Sequence, residues 1–251
     1  MSNSFYVVLP SNASLNFFPD NKIHSYKTKI PKLPIHDGTW EVGMTEIQFP
    51  ARWPNVINAK VWIKFSNGTL TEFSLHDGFY PSVEKLVSEI TKVISNAGCT
   101  GNISIYYDDL RDRTAITVKG NEVAGVTFTD NLMQIMGFNK SQGELFLQGV
   151  HWSDAASDIN DGLVGLFVYT DIVQRRLVGD VMVPLLRVVP AEPSRQSSTF
   201  KWVTFKDVQY IPVASTHTDT VEVNIRRDDG RIIAFEKGKT NVTLHFRKVK
   251  S

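Results

Sequence analysis

The chemistry-bearing residues of the chain come closest together at His151 and Asp154, with Asp161 further along. A histidine beside a carboxylate can activate a serine, but no Gly-x-Ser-x-Gly elbow occurs and no strand-to-helix turn is offered to hold one. An enzyme using His151, Asp154 and Asp161 is therefore a reading without a nucleophile. The oxygen-rich stretch Asp154 to Gly162 suggests a calcium loop, yet counting from Asp158 the position that needs glycine is Leu163 and the position that needs a carboxylate is Tyr169. Gly238-Lys239-Thr240 has the end of a phosphate loop, but the required earlier glycine is replaced by Ile233, and strands flank it on both sides. His24, His36, His76, His151, His217 and His245 are never paired at metal-ligand spacing. Cys99 is the only cysteine, which excludes a disulfide framework and a zinc site of two or more thiolates. No catalytic, cofactor-binding or metal residue is assigned, and no cofactor is expected.

Aromatic and basic residues alternate at Lys201, Trp202, Phe205, Lys206 and Tyr210, a pattern that could stack nucleobases. A sandwich core with polar outer positions explains the same alternation and is preferred. Arg175-Arg176 and the closing Arg247-Lys248-Val249-Lys250 are the densest basic runs and read as solubilising charge. With 27 basic and 26 acidic residues the net charge is +1, so the overall balance steers the chain toward neither nucleic acid nor an anionic membrane. Specific nucleic-acid binding is not expected. No segment approaches the roughly 18 apolar residues of a membrane span. The first ten residues lack a basic region and a long apolar run, so no signal peptide is expected. Sequons at Asn12, Asn67, Asn102, Asn139 and Asn241 then read as chance products of an Asn- and Thr-rich β protein.

The elements that must position these residues are mostly strands. The stretch from Trp40 to Pro50 is the most informative: Trp40, Val42 and Met44 share one face, whereas Ile47 and Phe49 fall on the other phase. A bulge, or a strand passing between two sheets, would cause that slip, and the two halves would then fill two core regions. Asn67-Gly68 predicts a hairpin between 60–66 and 69–75, because that dipeptide tolerates positive φ. Only Pro81 to Ala97 has a three-and-four apolar spacing, which predicts a helix opened by Pro81 and closed by Gly98. Further strands are expected at 5–9, 23–30, 102–107, 113–119, 123–128, 163–170, 177–189, 200–213, 221–226, 231–235 and 241–248. A short helix at 131–136, capped by Asp130, is expected as well. Residues 143–161 read as loop, and 190–198 as a mobile loop.

The expected fold class is mainly β: a jelly-roll-like antiparallel β-sandwich with a small α/β insertion. The expected domains are 1–77 plus 141–251 for the sandwich and 78–140 for a helix-strand-strand-helix module. A large β-sandwich without a nucleophile, metal cluster or phosphate loop is more often a binding or structural module than an enzyme.

Several phrases then line up with a known group of proteins. Phe5-Tyr-Val-Val-Leu-Pro-Ser-Asn12, Trp40 to Pro50, Val178-Gly179-Asp180, Pro184-Leu-Leu-Arg187, Met136-Gly137-Phe138 and Val242 to Arg247 resemble proteins of Maverick/Polinton-type elements and related adintovirus-like viruses. The resemblance is to their penton-like minor capsid protein. It implies a non-enzymatic jelly-roll subunit that forms a homopentamer at the five-fold vertices of an icosahedral capsid. It also implies the major capsid protein of the same element as partner, and a virion location after assembly in the host cytoplasm or nucleus. Trp53, Trp62 and Trp152 are candidate interface anchors, since tryptophan is enriched in interface cores. A ligand- or glycan-binding sandwich used in attachment, with 143–161 and 190–198 as its loops, is the alternative.

Overall fold

The computed structural model describes residues 3–31, 35, 38–191, 200–214 and 219–249. It divides into two compact units, Met1–Trp53 with Leu163–Ser251, and Pro54–Gly162. In chain order the first unit starts with β1 (Ser4–Pro10), β2 (Ser25–Lys29) and β3 (Trp40–Pro50). The second unit holds β4 (Lys60–Phe65), β5 (Leu70–Ser74), α1 (Val83–Asn96), β6 (Ile103–Asp108), β7 (Arg113–Val118), β8 (Val123–Phe128), α2 (Asp130–Ile135) and β9 (Gly149–Trp152). The first unit resumes with β10 (Gly165–Thr170), β11 (Arg176–Val178), β12 (Val181–Val183), β13 (Leu185–Pro190), β14 (Phe200–Thr204), β15 (Ile211–Pro212), β16 (Thr220–Arg226) and β17 (Asn241–Lys248).

Eight strands of the first unit make two four-stranded antiparallel sheets, β1-β17-β3-β14 and β13-β10-β16-β2, with β15 continuing the β14 side of β3. Taken in chain order, the first of the eight pairs with the last, the second with the seventh, the third with the sixth and the fourth with the fifth. That nesting is one long hairpin rolled on itself, the jelly-roll topology. Inward residues of both sheets share one core: Leu9, Val42, Phe49, Leu244 and Phe246 from one, Tyr26, Leu166, Val168, Val223 and Ile225 from the other. Tyr26 bridges the sheets by donating its hydroxyl to the Leu9 carbonyl at 3.0 Å, and its burial pushes the phenol pKa far up.

β3 lies at the middle of its sheet, and its apolar slip is a bulge. β17 partners run from Ile47 and Glu46 directly to Met44, leaving Thr45 as the extra residue. The bulge restores the phase, so Trp40, Val42, Met44, Ile47 and Phe49 all enter one core rather than the two expected. Gly43 is required by close approach: a Cβ there would lie 2.5 Å from Val208 Cγ1 and 2.7 Å from the Gln209 carbonyl. The chain between β14 and β15 passes over it at that point, so the expected 200–213 strand is two strands with a crossing between them.

The second unit is broader than the 78–140 module. Its β5-β4-β8 sheet joins the 60–74 hairpin to β8, and its β6-β7-β9 sheet takes in residues read as loop at 143–161. Strand hydrogen bonding therefore draws residues from both sides of 78–140 into one core built on Ile63, Leu86, Ile90, Phe128 and Phe146. α1 is capped by Ser82, whose hydroxyl accepts from Lys85 N at 3.4 Å, so Pro81 precedes the cap instead of opening the helix. Gly98 at φ 72° ends it as expected. Asp130 begins α2 but does not cap it; its carboxylate accepts from Gln142 N at 2.6 Å.

Two further expectations change. The 177–189 run is broken by Gly179-Asp180 into the β11–β12 hairpin before β13, because Gly179 takes φ 60°. Residues 231–235 make only a single bridge, Arg226 to Ile232, after the Asp229-Gly230 turn. Of the expected mobile loop, residues 192–198 lie outside the described residues.

Candidate interaction surfaces

The residues singled out for chemistry are each engaged by partners of their own. His151, on β9, pairs through Nε2 with the Leu147 carbonyl at 2.8 Å and sets its ring against Phe146, while Asp154 accepts from Asn139 N at 2.8 Å. Asp161 sits at φ 52° in a turn closed by Asp158, whose carboxylate accepts from Asn160 N and Gly162 N at 2.9 and 2.8 Å. Asp158 thus spends its carboxylate on the loop's own backbone, and Asp154 spends its on Asn139. Gly238-Lys239-Thr240 is a structural clasp: Thr240 N donates to Ser11 Oγ and Ser11 N to the Thr240 carbonyl, at 2.9 and 2.8 Å. Cys99 is buried, and burial raises its thiol pKa, the reverse of what a nucleophile needs. Among the described residues no three metal-ligating side chains converge. His36 and His217 lie outside the described residues.

The surfaces of the jelly roll carry more information. On the outer face of β1-β17-β3-β14 the two edges carry exposed apolar side chains, Tyr6 at 65% and its neighbour Val8 on β1, and Trp202 at 63% on β14, with β17 and β3 between them. Tyr6 stacks on His245 at 4.4 Å, and the Tyr210 hydroxyl meets His245 Nδ1 at 2.7 Å. Arg247 lies 3.5 Å over the Tyr210 ring and is held by Glu41 at 3.0 Å. Burial and the Arg247 charge lower the His245 pKa, which favours the neutral imidazole within this cluster. Trp202, expected inside, points outward because antiparallel register sets it opposite Gln48; Phe205 turns inward against the core, beneath the Arg187 guanidinium at 4.2 Å. The proposed stacking trio is therefore split between two faces.

A second apolar patch lies on the β11–β12 hairpin, where Leu177, Val181 and Met182 are exposed. Beside them Arg176 is half-buried, donates to the Leu186 carbonyl at 3.4 Å, and has its pKa lowered by burial and by Arg187. It is a packed side chain rather than a solubilising charge. The three tryptophans named as anchors separate: Trp53 is buried edge-on against Phe235, Trp62 gives its indole N–H to Glu72 at 3.0 Å, and Trp152 stays exposed on β9.

No protein-family profile matches the chain, and no curated protein matches it by sequence. Among solved structures, the selenomethionine-labelled mavirus penton protein superposes with a TM-score of 0.51 over 99% of this chain and 100% of that one, at 12% identity. A chain of the Sputnik virophage, from cryo-EM at 3.5 Å, superposes with a TM-score of 0.50 over 99% and 98%, at 9% identity. The chain has the fold of the mavirus penton protein.

On this penton fold, sequence reasoning missed Tyr6, Val8 and the β11–β12 hairpin as surface apolar residues. Phe5 to Leu9 is apolar at every position, so alternation alone cannot say which side faces out. The only sign of the hairpin was Gly179-Asp180, a turn dipeptide inside an apolar run. No helix among the described residues is long and apolar enough to cross a membrane.

Proposed function

We propose that the protein is a non-enzymatic, penton-like minor capsid subunit of a Maverick/Polinton-type or adintovirus-like element, assembling as a homopentamer at capsid vertices. The observation that carries this reading is the end-to-end likeness to a penton protein, insertion included, over 99% of the chain. The surface supports it independently. A ring uses two unlike patches per subunit, one meeting the other on the next copy. The jelly roll offers exposed apolar patches of this kind, at Tyr6/Val8 on the β1 edge and at Leu177/Val181/Met182 on the β11–β12 hairpin, with Trp202 exposed on the β14 edge. An obligate interface of this kind buries roughly 2,000 Å² or more. The major capsid protein of the same element is the second partner, and the virion is the location, following assembly in cytoplasm or nucleus.

Co-expression with that major capsid protein tests the reading. Particles whose five-fold positions carry density matching this jelly roll are expected; closed shells that exclude the protein would count against it.

A further inference from the structure

The second unit carries a groove unrelated to the patches on the jelly roll. It lies on the outer face of the β5-β4-β8 sheet and encloses about 440 Å³. Antiparallel register sets Glu72, Trp62 and Thr127 in one row across the three strands, and Leu70, Lys64 and Gly125 in the next. Leu145 and Gln142 form the opposite wall, on the segment that bridges to β8 through Phe146 and Val126.

Three features distinguish this groove from ordinary sheet surface. The indole of Trp62 is pinned at its edge, because Glu72 accepts from its N–H at 3.0 Å while also taking Lys60 Nζ at 2.7 Å. Glu72 is thereby neutralised outside the groove. Lys64 is the one charged residue among those lining it, and no described residue ion-pairs with it. Thr127, on the floor, is 4% exposed, yet its hydroxyl has no hydrogen-bond partner among the described residues. A buried hydroxyl without a partner is destabilising, and of the threonines in that state among the described residues, Thr28, Thr127, Thr170 and Thr240, Thr127 is the one that lines this groove.

We propose that this groove binds a small acidic amphiphile: an apolar or aromatic body with a single carboxylate, sulfonate or phosphate head. The body packs on Trp62, Leu70 and Leu145. The head takes Lys64, and Thr127 donates to it after turning about χ1 between staggered wells. Gln142 supplies a further amide at the rim. A free acid and an acidic lipid share this chemistry.

Fluorescence titration of the full chain with 1-anilinonaphthalene-8-sulfonate tests it, since the probe has an aromatic body and one anionic head. A single saturable site is expected. Lys64→Gln should weaken it about tenfold, the range for a hydrogen bond to a charged group, whereas Lys119→Gln leaves it unchanged. Thr127→Val should weaken it several-fold without lowering the thermal midpoint, because the valine removes an unpartnered hydroxyl. Displacement by octanoate assigns the free acid; displacement only by vesicles of phosphatidylcholine with phosphatidic acid assigns the lipid. The proposal is overturned by a lack of saturable binding, by equal affinity in Lys64→Gln, or by 1-octanol competing as well as octanoate.

Discussion

The two sheets of the jelly roll bury their inner faces in the same core and present unlike faces outward. On β13-β10-β16-β2 the β16–β2 half is closed by polar pairs: Lys27 with Glu222 at 3.3 Å, Lys29 with Asp219, and Ser25 Oγ donating to Asn224 Oδ1 at 2.7 Å. On β1-β17-β3-β14 the central strands carry the polar pairs Arg247–Glu41 and Asn241–Gln48, while the edges expose Tyr6 and Val8 on β1, against His245, and Trp202 on β14. Polar side chains that satisfy one another need no partner, whereas exposed aromatics are the side chains enriched in interface cores. The difference teaches that inward alternation specifies the sandwich, and that function has to be sought in what stands outside it.

The comparison can be broken first at its tryptophans. Trp40, inward on β3, should cost about 3–5 kcal/mol when changed to alanine, by loss of burial and the cavity left behind. Trp202→Ala should change monomer stability by no more than about 0.5 kcal/mol, as for a surface site. Urea unfolding measures both, and equal losses would erase the inside-outside distinction. Gly43→Ala is next, at about 1–3 kcal/mol from overpacking against Val208 and Gln209, read as a lowered urea midpoint; an unchanged midpoint would mean that the crossing segment is not seated there.

A smaller effect concerns pH. Burial lowers the pKa of His24, with Lys22 and Arg226 adding to it, and burial with Arg247 lowers that of His245. The unfolded chain then binds these protons more readily than the fold, so stability is full above the unfolded histidine value of about 6.5 and is lost as pH falls toward the folded values. Unfolding at about pH 5 and about pH 7.5 should show the difference, and His24→Gln with His245→Gln should shrink it. A difference that survives both substitutions would assign the dependence to other groups. Smallest is Glu222→Gln on the polar face, where a partly exposed pair with Lys27 contributes about 0–1 kcal/mol, and where no change in self-association is expected by light scattering.

Much of this architecture was legible in the residues. The bulge in β3 could be read because Met44 and Ile47 fall out of phase, and α1 because Leu86, Ile90 and Ile94 repeat on one face. The 60–74 hairpin followed from Asn67-Gly68. What stayed hidden depends on partners distant in sequence. Trp202 alternates like a core residue, and only its register against Gln48 turns it outward. β9 looks like a polar loop, since its strand character comes from pairing with β7 rather than from its own apolar content. The Thr127 hydroxyl and the Lys64 ammonium become a site only when β4, β5 and β8 lie side by side.

The central claim, that the exposed apolar edges of this sheet are assembly surfaces, is tested most directly by the mass of the purified protein across micromolar concentrations. Light scattering should find a closed oligomer of this chain, and Trp202→Glu should reduce it to monomer with an unchanged urea midpoint. A wild-type protein that stays monomeric at every concentration and ionic strength would contradict it, as would an oligomer indifferent to Trp202→Glu.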